Sequence, residues 1–372
     1  MKLFSCQSCQ QIVFFESVSC TKCGHTLAFA PDRALMCALE PGAAAGTWIV
    51  VGDDAGNSAS YRQCKNQVEQ GVCNWLIPNR ESGDYCRACR LNHIIPNLGA
   101  TETKQAWARL EGAKRRVLYT LFELRLPVDS RVERPDGGLE FEFLEDGGAP
   151  NGPHVYTGHN DGIITINIAE ADDPFREKVR VRMGEPYRTV LGHFRHEIGH
   201  YYWDRLLRES SRLEDFRELF GDERADYGAA QRTHYSSGPS SDWPLRFVSA
   251  YASMHPWEDW AESWAHYLHI VDTLETARAF SMSLRPVKEE VPRASDLALA
   301  SRRLDLHSFD DLIAGWIPLT VALNALNRSM GLSDGYPFVL SEMAIRKLRF
   351  VHETIAGHGG GGAGGQVNSK ET

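Results

Sequence analysis

Two groups of residues in this 372-residue chain have the types and spacing for metal chemistry. The first is His196-Glu197-Ile198-Gly199-His200, an H-E-x-x-H pattern. On a helix, residues four apart lie on one face, so His196 and His200 offer two imidazole nitrogens to one ion while Glu197 stands beside it. A zinc ion with three protein ligands and one open position lowers the pKa of bound water to about 7, and an adjacent carboxylate is placed to take its proton. The chemistry implied is hydrolysis of a peptide or similar amide.

The second group is cysteine. All nine cysteines fall before residue 90, whereas a disulfide-stapled secreted protein seldom confines them to one end. Cys6-x-x-Cys9 followed by Cys20-x-x-Cys23 resembles a zinc ribbon, in which two tight turns each supply a pair of thiolates to a tetrahedral structural site. Cys64, Cys73, Cys86 and Cys89 form a second set with one tight pair. Gly71, Pro78, Asn79 and Gly83 supply the turns that would gather it around a second structural zinc. Cys37 has no paired neighbour and reads as a small core residue. Residues 1–97 carry eight Lys/Arg against eight Asp/Glu, which gives no electrostatic footprint for nucleic acid. A structural or protein-docking module is the expectation.

The elements that must position these groups follow from hydrophobic spacing. Leu191, Phe194 and Ile198 recur at helical intervals through the H-E-x-x-H stretch, with Pro186 at a tolerated first-turn position. The helix is expected to continue through Tyr201, Tyr202, Trp203 and Leu206. A metzincin would need glycine at 203 and histidine at 206, so that class is excluded. Ahead of this helix the pattern predicts a boundary near residue 97, a helix from Thr103 to Leu124, and strands at 139–143 and 162–168. The second strand either offers its edge to an extended peptide or is core sheet. Behind the helix, further helices are expected at 272–284, 296–306, 309–330 and 340–356, with a flexible Gly-rich tail over 357–372. The domain division is therefore 1–97, 98–356 and tail. Helix, strands, then the metal helix is an α+β order, mainly helical with a small sheet, preceded by a small β-rich module.

A third ligand must come from farther along the chain, and two acidic stretches qualify. One holds Asp222, Glu223 and Asp226; the other holds Glu258, Asp259 and Glu262.

Residues Tyr251 to Glu262, with a glutamate seven residues after a tyrosine, resemble the glutamate helix of gluzincins of the lethal-factor type. The whole chain, with its N-terminal ribbon, resembles the putative zinc-binding metallopeptidases of bacteria. The resemblance implies a zincin-like domain with Glu258 as third zinc ligand and Tyr251 as donor to the oxyanion. Glu262, one turn after Glu258, would be the acidic residue that steadies a ligating histidine. Elementary chemistry agrees, since a carboxylate at i+4 shares a helix face and a phenol can donate to developing negative charge. The cluster around Asp222 then reads as capping and ion pairs, and His193, His266 and His269 as cleft or core histidines.

Composition fits this reading: 42% hydrophobic and 24% charged residues suit a globular chain that buries a core without disulfides. A formal charge of −9 gives no cationic field for nucleic acid or an anionic membrane. The N-terminus lacks the long apolar core of a signal peptide, so a cytoplasmic protein with no membrane association is expected. The function expected is zinc-dependent hydrolysis of peptide bonds, with Glu197 as general base and the ribbon as a site for a protein partner. The alternatives are a non-catalytic peptide-binding adaptor and a zinc amidase acting on a small or modified substrate.

Overall fold

The computed structural model describes residues 2–53, 60–147, 154–284 and 308–359, which form two compact units. Unit 1 comprises residues 1–119 and 128–194; unit 2 comprises 120–127 and 195–372.

Unit 1 begins with a short antiparallel pair, β1 (Phe4–Ser5) and β2 (Ile12–Val13). An antiparallel meander follows in the order β3 (Thr26–Ala30), β4 (Leu35–Pro41), β5 (Thr47–Val50), β6 (Tyr61–Gln63), β7 (Leu76–Pro78). Ala28, Ala30, Cys37, Leu39, Val50, Tyr61 and Leu76 pack together on it. Cys37 is thus the core residue its isolation implied, and burial pushes its thiol up to about 12. The single-turn helix α1 (Lys65–Val68) lies between β6 and β7.

After Cys89 a 3-10 turn leads directly into β8 (Asn92–Ile94). This strand does not stay with the cysteine region. It pairs in parallel with β9 (Glu140–Leu144) and so forms one edge of a sheet ordered β10 (Gly158–Asn160), β11 (Ile163–Asn167), β9, β8. The alternation Glu140-Phe141-Glu142-Phe143 turns both phenylalanines inward, where they are fully buried with Ile164 and Ile166. Strand β11, the last strand before the H-E-x-x-H stretch in the chain, is flanked on both sides, so the edges of this sheet belong to β10 and β8.

Helix α2 (Thr101–Glu123) is joined to β8 by buried charges. Glu111 Oε1 accepts from Asn92 Nδ2 at 2.8 Å and from Lys114 Nζ at 2.7 Å. Lys114 also donates to Asn92 Oδ1 and lies over the rings of Phe141 and Phe143. Glu111 and Lys114 are completely buried, an arrangement that holds only because each charge is paired and hydrogen-bonded. Residue 97 lies within unit 1, which holds both the cysteine region and the four-stranded sheet.

Helix α3 (Asp173–Met183) is capped by Asp172 and stopped by Gly184 in the left-handed conformation. The metal-binding pattern lies on α4 (Val190–Leu206), which runs from unit 1 into unit 2. Its start is not at Pro186. The Thr189 hydroxyl accepts from Gly192 N–H at 3.0 Å, the capping bond that fixes the first turn four residues later than the proline suggests.

Unit 2 is helical: α5 (Leu213–Phe220), α6 (Tyr227–Ser237), α7 (Trp243–Arg246), α8 (Pro256–Ala279), α9 (Phe309–Ser329) and α10 (Glu342–Gly359). Its core is aromatic. Tyr202 stacks on Trp264 at 4.8 Å, and Phe216, Phe220 and Phe350 meet Trp260 edge-on. The helix expected from Asp272 is the C-terminal part of α8, and α10 extends to Gly359, past the expected start of the tail. The helix expected at 296–306 and residues 360–372 lie outside the described residues. Among the described residues α9 is long and apolar enough to cross a bilayer; its Phe309, Leu312, Trp316 and Leu319 are buried in the protein, while Ile317, Val321 and Leu326 are exposed. The fold is the α+β arrangement expected, a β-rich N-terminal region and a mainly helical remainder with a small sheet.

Candidate active site and metal centres

Helices α4 and α8 meet at Gly199. A Cβ there would sit 3.0 Å from the Ala261 Cα and 3.2 Å from the Trp264 Cβ, so glycine is what lets the two backbones approach. The Trp260 indole N–H donates to the Gly199 carbonyl at 2.8 Å and locks the contact.

This approach brings three ligand atoms together. Glu258 Oε2 lies 2.9 Å from His196 Nε2 and 3.5 Å from His200 Nε2, and the two Nε2 atoms are 3.2 Å apart. Behind them Glu262 Oε1 lies 2.8 Å from His196 Nδ1, and Ser249 Oγ donates to Glu262 Oε2 at 2.5 Å. Those partners place the His196 proton on Nδ1 and leave its Nε2 lone pair aimed at the point where the other two donors converge. The Trp257 ring packs 4.2 Å from that of His200. Glu258 is placed by the first turn of α8, where His255 Nδ1 caps by accepting from Trp257 N–H at 3.1 Å and Pro256 starts the helix.

The electrostatics match the geometry. Burial alone would raise the Glu258 carboxyl, but the two imidazoles outweigh it and hold the group well below the carboxylate range. Burial opposes a charged His196, but Glu258 and Glu262 outweigh it and raise its pKa, so the negative charge gathered here favours a cation at Nε2, either a proton or a metal ion that replaces it. Buried Glu262 is held at about 2 by its bond to His196. Two nitrogens and one carboxylate oxygen, buried, converging and rich in negative charge, are the donor set of a catalytic zinc.

Around this cluster stand the other expected residues. Glu197 follows His196 on α4 and is 8% exposed. Tyr251 opens a 3-10 turn (Tyr251–Ser253), its ring 5.9 Å from that of His196. Burial, and then the Glu258 charge, keep its phenol protonated far above neutral pH. The rival acidic stretch does not join the cluster. Asp222 pairs with Arg224 at 2.8 Å, Glu223 with Arg217 at 2.6 Å, and Asp226 caps α6 by accepting from Ala229 N–H at 2.9 Å.

The histidines outside the cluster have other partners. His193 Nδ1 faces Glu170 at 3.3 Å. His266 is buried against the Tyr336 hydroxyl at 2.7 Å, and burial lowers its pKa to about 4. His269 packs on Trp316 and Tyr336.

One residue at the site has no counterpart in the sequence reasoning. Tyr227 donates its hydroxyl hydrogen to Glu258 Oε1 at 2.8 Å. It lies within the stretch set aside as structural, and no spacing rule connects it to Glu258.

The cysteines gather in the two expected sets, Cys6, Cys9, Cys20, Cys23 and Cys64, Cys73, Cys86, Cys89. Sulfur separations are 3.6 Å for Cys6 and Cys23, 3.5 Å for Cys9 and Cys20, and 3.6 Å for Cys73 and Cys86. These are far beyond an S–S bond of about 2.05 Å. They approach the edge of about 3.8 Å that a tetrahedron with metal–sulfur bonds of about 2.3 Å requires. In the second set Cys64 Sγ accepts from Cys86 N–H at 3.5 Å and Cys73 Sγ from Trp75 N–H at 3.4 Å. The buried guanidinium of Arg115 stands near the thiols of Cys73, Cys89 and Cys86, a counter-charge suited to thiolates.

The two thiolate sites differ in what they hold. The second is continuous with β8 and the buried charges of α2, whereas the first has two half-exposed cysteines and a two-residue hairpin. Cys86→Ser is therefore expected to lose one zinc and to deprotect residues 101–123 and 140–144 in hydrogen exchange. Cys9→Ser should lose one zinc and leave those segments protected. Equal protection in the two variants would contradict the link between the second site and the sheet.

Residues 103–354 match the family described as "Putative zinc-binding metallo-peptidase", and residues 3–100 match a zinc-ribbon domain. The chain is 42% identical to a protein of Mycobacterium tuberculosis and to one of Mycobacterium bovis, each described as uncharacterized. In each case the match spans 356 residues, 95% of both chains. No solved structure matches it.

Proposed function

Because the chain belongs to the zinc-binding metallo-peptidase family, we propose that it hydrolyses peptide bonds with Glu197 as general base and Tyr251 as oxyanion donor. His196, His200 and Glu258 would hold the catalytic zinc. Zinc bound there supplies an electrophile that polarises the scissile carbonyl and acidifies water. Glu197 takes the proton of the attacking water and returns it to the leaving nitrogen, so one carboxylate serves as base and then acid. The Tyr251 hydroxyl donates to the carbonyl oxygen as negative charge develops on it. Glu262 and Ser249 hold the His196 ring in the tautomer that leaves Nε2 free to ligate. The observation that carries the reading is the convergence of two imidazole nitrogens and one carboxylate oxygen, backed by Glu262.

An unbiased peptide library incubated with the holoenzyme and read by mass spectrometry tests the reaction class. Cleaved peptides are expected. Tyr251→Phe should lower kcat by roughly a hundredfold with zinc content and KM nearly unchanged. An intact library together with turnover of small amides would favour the amidase alternative.

The substrate is a peptide or protein, as the peptidase domain requires. A protein partner at the ribbon is proposed from exposed Ile12, Phe14 and Val18 beside the first cysteine set and from the balanced charge of residues 1–97. Phe14→Asp should weaken capture of such a partner and leave library cleavage unchanged; loss of neither would count against the assignment. A cytoplasmic location is proposed from the nine unbridged cysteines, eight of them gathered in two sets suited to zinc and not to disulfides, and cell fractionation checks it.

A further inference from the structure

We propose that Tyr227 is a positioning residue for Glu258, fixing which of its two carboxylate oxygens faces the imidazoles. The inference rests on the ligand assignment above and extends it to a residue outside the motif. Glu258 is 2% exposed, so water is not at hand to satisfy both oxygens. Its Oε2 lies toward His196 and His200, and its Oε1 accepts from the Tyr227 hydroxyl. The two oxygens thus have separate tasks, one for the ion and one for the phenol.

The phenol is held where it can do this. Tyr227 is the first residue of α6, and the Asp226 cap fixes that turn. The preceding loop is tied to α8 itself, because the His255 Nε2 donates to the Ala225 carbonyl at 3.1 Å. His255 therefore fastens the start of α8 on one side and the approach to α6 on the other. The Tyr227 ring is further boxed by His255 at 5.3 Å and Trp257 at 6.3 Å, both edge-on. A phenol in such a box has little rotational freedom left to lose, so its hydrogen bond orients the carboxylate at small entropic cost. Without it, Oε1 is left buried and unpaired, or turns toward the ion as a second oxygen ligand.

The test uses the full chain with zinc kept in both cysteine sites. Zinc affinity at the third site is measured by competition with a chromophoric chelator, and cobalt(II) placed in that site reports the coordination through its d–d bands. Tyr227→Phe is expected to weaken zinc at this one site by roughly ten- to a hundredfold and to change the cobalt bands. Unchanged affinity and unchanged bands overturn the proposal, whatever happens to activity. Tyr267→Phe removes a buried phenol of α8 that meets His352 and none of the three ligands, and should alter neither readout; if it weakens zinc as much, the effect is general loss of packing and the proposal fails. Glu258→Ala separates the two levels. Should that variant keep its third zinc, the ligand reading itself is wrong, whereas loss of zinc in Glu258→Ala with none of the expected change in Tyr227→Phe rejects only the role of Tyr227.

Discussion

Replacing Glu197 with glutamine is expected to lower kcat for peptide cleavage by at least about a hundredfold while three zinc ions per chain remain bound. Glutamine keeps the size and hydrogen-bonding reach of the side chain and loses only the ability to take a proton. Glu197 is not among the three residues whose ligand atoms converge, so metal content should not follow activity. Its near-complete burial leaves little solvent to stand in as base. Steady-state kinetics on a peptide from the library, paired with elemental analysis, gives both numbers from one preparation. Undiminished cleavage would reject the proposed base, and loss of zinc would move Glu197 into the ligand set.

Lys347→Ala is expected to destabilise the protein by about 3–5 kcal/mol, the range for stranding a buried charge. Lys347 on α10 is 3% exposed and meets Asp259 Oδ2 at 2.5 Å; Asp259, next to Glu258 on α8, is fully buried. The ammonium also donates to the Arg246 carbonyl at 2.9 Å and lies 4.1 Å from the centre of the Phe247 ring. Burial pushes the Asp259 carboxyl up to about 7 even with Lys347 beside it, and lowers Lys347 as well, so the pair is costly to bury and more costly to break. Removing both charges as Lys347→Met with Asp259→Leu should recover most of the loss. Chemical denaturation of Lys347→Met, Asp259→Leu and their combination beside the parent chain measures this as a double-mutant cycle. Equal stability of Lys347→Ala and the parent chain would show that the pair does not brace α8.

The candidate ligands are legible in the sequence because their chemistry is written in short range. His196, Glu197 and His200 share one helix face, and each C-x-x-C needs only one turn. Glu258 was less so, since spacing alone left it beside Asp222 and Asp226; what separates them is that the Asp222 stretch is consumed by Arg224, Arg217 and the α6 cap. The helix start failed because proline tolerance is a weaker signal than the Thr189 cap. Two features had no sequence signal. Tyr227 reaches Glu258 across 31 positions from a different helix. Strand β8 follows the last cysteine at once but pairs with a strand nearly fifty residues on, a contact only the folded chain reveals. Gly199 lay within the motif, yet its reason is the α8 backbone and not the metal.

The central claim is that His196, His200 and Glu258 hold one zinc ion in addition to the two held by cysteine. Elemental analysis of the Glu258→Ala variant, purified as the full chain beside the unaltered protein, tests it most directly. Three zinc ions per chain are expected for the unaltered protein and two for the variant, with partial return of the third in excess zinc. A variant that keeps three, while Asp222→Ala or Asp226→Ala drops to two, would contradict the assignment and give the site to the aspartates.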